Sequence, residues 1–203
     1  MALEAANIEW PYSGKPDGLA GTGALPAERY LMWLSCVFFT ALLVIGQLVR
    51  DEIAWNWWHW ALFAAIAFDI AGGVTANTLN SCKRLYLSPV NEADPPNIRL
   101  FKNHWLFGAL HVHTVVVAVL FPTGSLLAGA IWYLLLLASI GITLKTPLYL
   151  RRPVAFTLIV TAICTSLYFL PIAAGFEWLI PLMFLKNVYG HSVREEPYRP
   201  GPG

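Results

Sequence analysis

Apolar residues are concentrated in six segments, and short polar stretches separate them. Each of the first five segments is long enough to cross a hydrocarbon layer of about 30 Å as a helix. The sixth is short and contains Pro181 and Lys186. The pattern predicts an all-α polytopic membrane protein with six transmembrane helices, the sixth of them short, at residues 30–49, 57–79, 104–121, 126–144, 154–174 and 178–189.

Lysine and arginine residues indicate the direction of these six segments. Nearly all of them fall at segment ends that share one side of the membrane, whereas Arg50 lies alone on the other side. Cytoplasmic loops carry an excess of Lys and Arg, so both termini are predicted to be cytoplasmic, in an inner or plasma membrane. A chain with only five spans would move Arg194 and Arg199 to the opposite side, so the charge bias also favours the sixth span.

Composition agrees with this division of the chain. Hydrophobic residues make up 57% of the sequence and charged residues 12%, far from the balance of a soluble domain. We expect an irregular cytoplasmic N-terminal tail (1–29), a six-helix transmembrane bundle (30–191) and a cytoplasmic C-terminal tail (192–203). The apolar segments predict contact with membrane lipids. The net charge is +1 and the cations lie at helix ends without forming a patch, so we expect no nucleic-acid partner.

Asp69 is the most unusual residue of the apolar segments, because it lies near the middle of the second one. A charged side chain at that depth costs about 2.5–3.5 kcal/mol on insertion scales, so intramembrane carboxylates are candidates for function. Helical spacing predicts one small and polar face on this segment, which should pack against other helices; it contains Asp69, Gly72, Gly73, Ala76, Asn77, Asn80 and Arg84.

The histidines of the third segment fall in the same half of the membrane as Asp69. His104 and His111 are seven residues apart and share one helical face. His113 follows His111 by two residues and should point to nearly the opposite side, so only a break in the helix would bring both to one site. Helical phase therefore favours His111 over His113 as the neighbour of Asp69.

The sixth segment adds Asn187, His191 and Glu195 at four-residue spacing. We predict one cytoplasm-facing site between segments two, three and six, with Asp69 and His111 as catalytic residues. Asp69, His104, His111 and His191 are the candidate metal ligands. The other residues expected to line the site are Asn77, Asn80, Lys186, Asn187 and Glu195.

This set of side chains predicts a metal- or cofactor-assisted membrane enzyme acting on a lipid-like or small apolar substrate. Imidazoles and a carboxylate suit a divalent zinc, iron or copper ion with an open coordination position, for hydrolysis with zinc or redox chemistry with iron or copper. A haem b held by His104 and His191, at equal depth on two helices, is the alternative cofactor.

Two non-enzymatic functions compete with this prediction. A proton-coupled small-molecule carrier would use an ion pair of Asp69 with Lys186, or a proton relay of Asp69 with His111. A non-catalytic accessory subunit of a larger membrane protein complex would use the tails, which are rich in proline, glycine and aromatic residues such as Trp10, Tyr12 and Tyr198.

Overall fold

A computed structural model describes residues 6–11, 15–50 and 54–200. The chain is all-α in character and 70% helical. The helices are α1 (Pro26–Arg50), α2 (Trp57–Thr78), α3 (Asn80–Leu87), α4 (Pro96–Lys102), α5 (His104–Ala109), α6 (His113–Leu120), α7 (Leu126–Lys145), α8 (Leu148–Tyr168) and α9 (Leu179–Phe184). A π-helix over Leu185–His191 continues α9 directly.

Among the described residues, four helices are long and apolar enough to cross a membrane: α1, α2, α7 and α8. A fifth crossing is present if α4 and the α5–α6 stretch, bent by 89° at their junction, count as one span. The outward faces of α1 and α8 expose large apolar side chains, for example Leu34 at 66% and Val160 at 55%. Such faces suit hydrocarbon, so the chain is a multi-pass integral membrane protein.

Short strands join the tails to the bundle. β1 (Ala6–Ile8) pairs antiparallel with β4 (Tyr198–Pro200), and β2 (Pro16–Asp17) pairs with β3 (Gly21–Thr22). The prediction of a wholly irregular N-terminal tail at 1–29 is therefore wrong for its described part, which contains three strands and the start of α1. Tyr12 lies outside the described residues.

α1 begins at Pro26, four residues before the predicted first segment, and two other predicted segments differ more from the structure. The fifth, predicted at 154–174, is α8, which begins at Leu148 and ends at Tyr168. It begins earlier because Pro153 is accommodated inside the helix. It ends earlier because Pro171 disfavours helical geometry at the residue before it. The third segment, predicted as one helix over 104–121, is broken between α5 and α6.

Lys83 and Arg84 are charged residues near the tail end of the bundle, yet they are only 1% exposed each. Both belong to α3, a short helix that packs against β3, α2 and α4. Arg84 donates to the backbone oxygens of Thr22 and Gly23, at 3.0 and 3.1 Å. This arrangement holds the N-terminal segment against α3.

The core at the end of the bundle opposite the tails is a cluster of aromatic rings. Phe176 packs against Trp55, Phe63, Phe121 and Trp178, with ring centroids 4.5 to 5.8 Å apart. Phe63 and Phe176 are 1% and 0% exposed. This aromatic layer closes that end of the bundle.

Candidate functional site

Asp69 forms an ion pair that joins three helical segments. Its Oδ1 accepts a hydrogen bond from Lys186 Nζ of the π-helix at 2.8 Å. Its Oδ2 lies 3.3 Å from Nε2 of His113, the first residue of α6. The Lys186 side chain is 5% exposed, whereas half of the Asp69 side chain is exposed. The ion pair offered by the sequence as one alternative is therefore present, with His113 as a third member.

The glycine pair on α2 makes room for this contact. A Cβ built on Gly73 would lie 2.5 Å from Cε of Lys186, so any larger residue would displace the lysine. A Cβ on Gly72 would lie 2.4 Å from Sγ of Cys36, where α1 crosses α2. Gly72 therefore permits close helix packing, and Gly73 gives the lysine its path to Asp69.

Asn77 fixes the turn that carries Lys186. Its Nδ2 donates to the Lys186 backbone oxygen at 3.2 Å, and its Oδ1 accepts from the Tyr86 hydroxyl at 3.0 Å. Burial raises the pKa of Tyr86 well above its usual value, so this hydroxyl stays protonated and acts as the donor. A π-helix widens the turn by one residue, which leaves backbone carbonyls that need such outside donors.

The prediction that His113 points away from the site is wrong, because the third segment is not a continuous helix. His111 lies in the break, and its Nδ1 is 2.7 Å from the Phe107 backbone oxygen. That oxygen would otherwise accept the His111 backbone N–H in a continuous α-helix. The side chain thus interrupts the hydrogen-bond ladder, and the chain turns to bring His113 to Asp69. The two imidazole centroids are 5.6 Å apart.

His104 and His191 form a second contact. Their ring centroids are 4.7 Å apart at 76°, and His191 also stacks on Phe107 at 3.8 Å. Three of their ring nitrogens, His104 Nδ1 and both of His191, are buried without a hydrogen-bond partner. A haem iron would have to lie between the two rings, and rings in edge-to-face contact leave no space for the porphyrin. The pair therefore does not fit the predicted haem b.

The Asp69–Lys186 pair opens onto a cavity of about 150 Å³. The cavity lies in the half of the bundle next to the tails, and Gly18 and Leu19 of the N-terminal segment cover one edge of it. Its walls are largely aromatic or apolar. They include Met32, Trp33, Cys36, Phe68, Tyr86, Phe101 and Phe107.

The structure brings only part of the predicted site together. Asp69, Asn77 and Lys186 line the cavity, whereas three other predicted lining residues do not. Asn80 Oδ1 accepts a hydrogen bond from the Tyr198 backbone N–H. Asn187 donates to the backbone oxygen of Met183, one turn earlier in the chain. Glu195 Oε2 lies 3.7 Å from Lys83 Nζ. Asn80 leaves the predicted α2 face because the helix ends at Thr78 and α3 begins anew.

Within the described ranges, no group of three or more His, Cys, Asp or Glu side chains is placed to hold a metal ion. The metal set of Asp69, His104, His111 and His191 stays a prediction. Sequence reasoning also missed most of the cavity wall, including Cys36, Tyr86 and Phe107, which carry no motif that could have singled them out.

Comparison with protein-family models, with curated proteins and with solved structures finds no match to this chain.

Proposed function

We propose that this chain crosses an inner or plasma membrane six times and keeps both termini in the cytoplasm. The pairing of β1 with β4 supports an even number of crossings, since it joins the two tails at one end of the bundle. The sixth crossing would be α9 with its π-helix, which is shorter than a typical span. The excess of Lys and Arg at the tail end supports the orientation.

We propose further that the protein is a proton-coupled carrier of small, largely apolar molecules. The observation that carries this proposal is the Asp69 carboxylate, bound by Lys186 and His113 from two other segments beside a cavity. Proton binding to Asp69 removes the charge that holds Lys186 and His113 to α2. Protonation would therefore change the relative stability of two arrangements of these segments, which is what coupling requires.

The closed end of the bundle supports the same proposal. The cavity is open in the half next to the tails, and the aromatic layer around Phe176 blocks the opposite half. A carrier needs a state in which its site is reached from one side only. With the proposed orientation, the cavity would be reached from the cytoplasmic side, and the aromatic layer would separate it from the other side.

Infrared difference spectroscopy tests the proton-binding step. The purified protein, titrated from mildly alkaline to strongly acidic pH, should gain a carbonyl band of a protonated carboxyl group that Asp69→Asn lacks. Removing the neighbouring cation in Lys186→Met should move the appearance of this band to higher pH, because the carboxylate loses its counter-charge.

If no Asp69-dependent band appears over the whole range, the proton-coupled proposal fails. The ion pair is then structural, and co-purification with a larger membrane complex would instead support the accessory-subunit function. Glu177→Gln is the matched control, because Glu177 forms an exposed pair with Arg50 far from the cavity. Its spectrum should keep the Asp69 band.

The second candidate is the metal-assisted membrane enzyme. The observation that favours it is the contact of His104 with His191, whose buried ring nitrogens lack partners. Neutral imidazole nitrogens are common ligands of zinc and copper, and a substrate or water would complete the set. Metal analysis of the purified protein should then find about one equivalent per chain. His191→Ala should lose it, and a metal-free wild-type protein would overturn this candidate.

A further inference from the structure

The open face of the ion pair is negative. Half of the Asp69 side chain is exposed and the residue lines the cavity, whereas Lys186 is 5% exposed and lies over Gly73. Lys186 bonds Oδ1 and His113 lies 3.3 Å from Oδ2, while the rest of the carboxylate faces a largely apolar space, where an uncovered charge is costly. Whatever enters the cavity therefore meets the carboxylate before it meets the lysine.

The aromatic rings of the cavity wall are a second feature that would attract a cation. Trp33 and Phe68 line the cavity with partly exposed side chains, and their ring centroids are 6.1 Å apart. Phe107 lies deeper, and Lys186 Nζ lies 6.0 Å from its ring centroid, so this ring already faces one cation of the site. Aromatic faces attract cations electrostatically, and ammonium groups are bound in proteins by such ring-lined sites.

We propose that this cavity binds a lipophilic organic cation, an ammonium group on an apolar chain, in exchange for a proton. The ammonium group pairs with the uncovered face of Asp69, and the chain passes between Trp33 and Phe68 toward the lipid. This assignment rests on the proposed function, since it takes Asp69 as the proton-binding group.

The charges of this exchange balance. With Asp69 protonated, Lys186 charged, and the neighbouring His111 and His113 neutral throughout, the site carries one positive charge. With Asp69 ionised, Lys186 charged and one monovalent cation bound, the site again carries one positive charge. One proton therefore leaves the carboxylate for each cation that enters, and the low-dielectric site never gains a second charge.

Cys36 provides a reporter for occupancy of the cavity. It lines the cavity and is 7% exposed, whereas Cys164 lies on the exposed face of α8 and serves as an internal control. The protein, in dodecyl maltoside micelles, is treated with N-ethylmaleimide, and the alkylation rate of each cysteine is measured by peptide mass spectrometry. Three matched probes compete with the reagent: octyltrimethylammonium, octanoate and octanol.

We expect octyltrimethylammonium to slow the alkylation of Cys36 several-fold and to leave Cys164 unchanged. Octanoate and octanol should protect far less, and Asp69→Asn should abolish the protection. The concentration that gives half protection should fall as pH rises, because the proton and the cation compete for one carboxylate. The probe itself does not titrate, and rates are normalised to the probe-free rate at each pH.

Trp33→Leu provides a variant that leaves the ion pair intact. It should weaken the binding of the cation about tenfold, and Trp33→Phe should keep most of it. Equal protection by octanol or octanoate, or no effect of Trp33→Leu, would overturn the cation assignment. If the infrared band of Asp69 is present but the cation fails to protect Cys36, the ligand class is wrong and the proton site stands. Loss of the band itself removes the proposed function.

Discussion

Replacing Asp69 with asparagine is expected to lower the free energy of unfolding by about 3 kcal/mol, because the Lys186 ammonium group stays buried without its counter-charge. Breaking a buried ion pair costs about 3–5 kcal/mol. The lower end applies here, since half of the Asp69 side chain is exposed while Lys186 is 5% exposed. Reversible unfolding in mixed detergent micelles, followed by circular dichroism, measures the change.

Adding Lys186→Met to this variant should recover most of the loss. With both charges gone, methionine fills the space over Gly73 and no uncompensated charge remains. A double-mutant cycle should therefore return a coupling energy of about 2–3 kcal/mol. Glu177→Gln, which breaks the exposed pair with Arg50 at 3.3 Å, should cost no more than about 1 kcal/mol. Additive losses at Asp69 and Lys186 would show that the two residues do not stabilise the fold as a pair.

The long helices could be predicted because their signal is a run of apolar residues. α2 was predicted at 57–79 and lies at Trp57–Thr78, and α7 was predicted at 126–144 and lies at Leu126–Lys145. A run of this length leaves few alternatives in a bilayer, where all backbone groups must be satisfied within the segment. Asn56 and Ser125, polar residues just before the first turns, also mark the two starts.

The composition of the site was harder to predict, because it depends on two departures from α-helical periodicity. The first is the break between Ala109 and His113, where the His111 imidazole contacts the Phe107 carbonyl oxygen. No glycine or proline lies between these two residues to indicate the break. Phase counted along an unbroken helix therefore selected the wrong histidine. The depth of a residue in the membrane is easier to predict than the direction of its side chain. A short break in a helix changes the depth little, but it rotates every later side chain about the helix axis.

The π-helix is the second departure. It places Lys186 against Asp69 and His191 against Phe107, and it depends on long-range donors such as Asn77. Sequence spacing alone could offer the Asp69–Lys186 pair only as one alternative, because it cannot show that Gly73 opens the path between them. The sequence shows that Asp69 and Lys186 are unusual in apolar segments, but only tertiary packing determines which residues they contact.

Lys83 binds the end of the π-helix, and its replacement should have the second large effect on the free energy of unfolding. Its Nζ donates to the backbone oxygens of Gly190 and Val193, at 2.5 and 2.9 Å, where the π-helix ends. Burial lowers the pKa of Lys83 to about 8, partly opposed by Glu195, so the group remains mainly protonated at neutral pH. A buried cation at this position supplies the donors that the last carbonyls of a helix lack.

Lys83→Met should therefore lower the free energy of unfolding by about 2–6 kcal/mol, since two buried carbonyls lose their donors at about 1–3 kcal/mol each. The same substitution at Lys145, an exposed lysine at the end of α7, should change it by no more than about 0.5 kcal/mol. Because the π-helix carries Lys186, we also expect Lys83→Met to raise amide hydrogen exchange across Leu185–His191 more than across α7. Equal stability of the two variants would mean that other donors satisfy the π-helix end, and that Lys83 does not hold this segment in place.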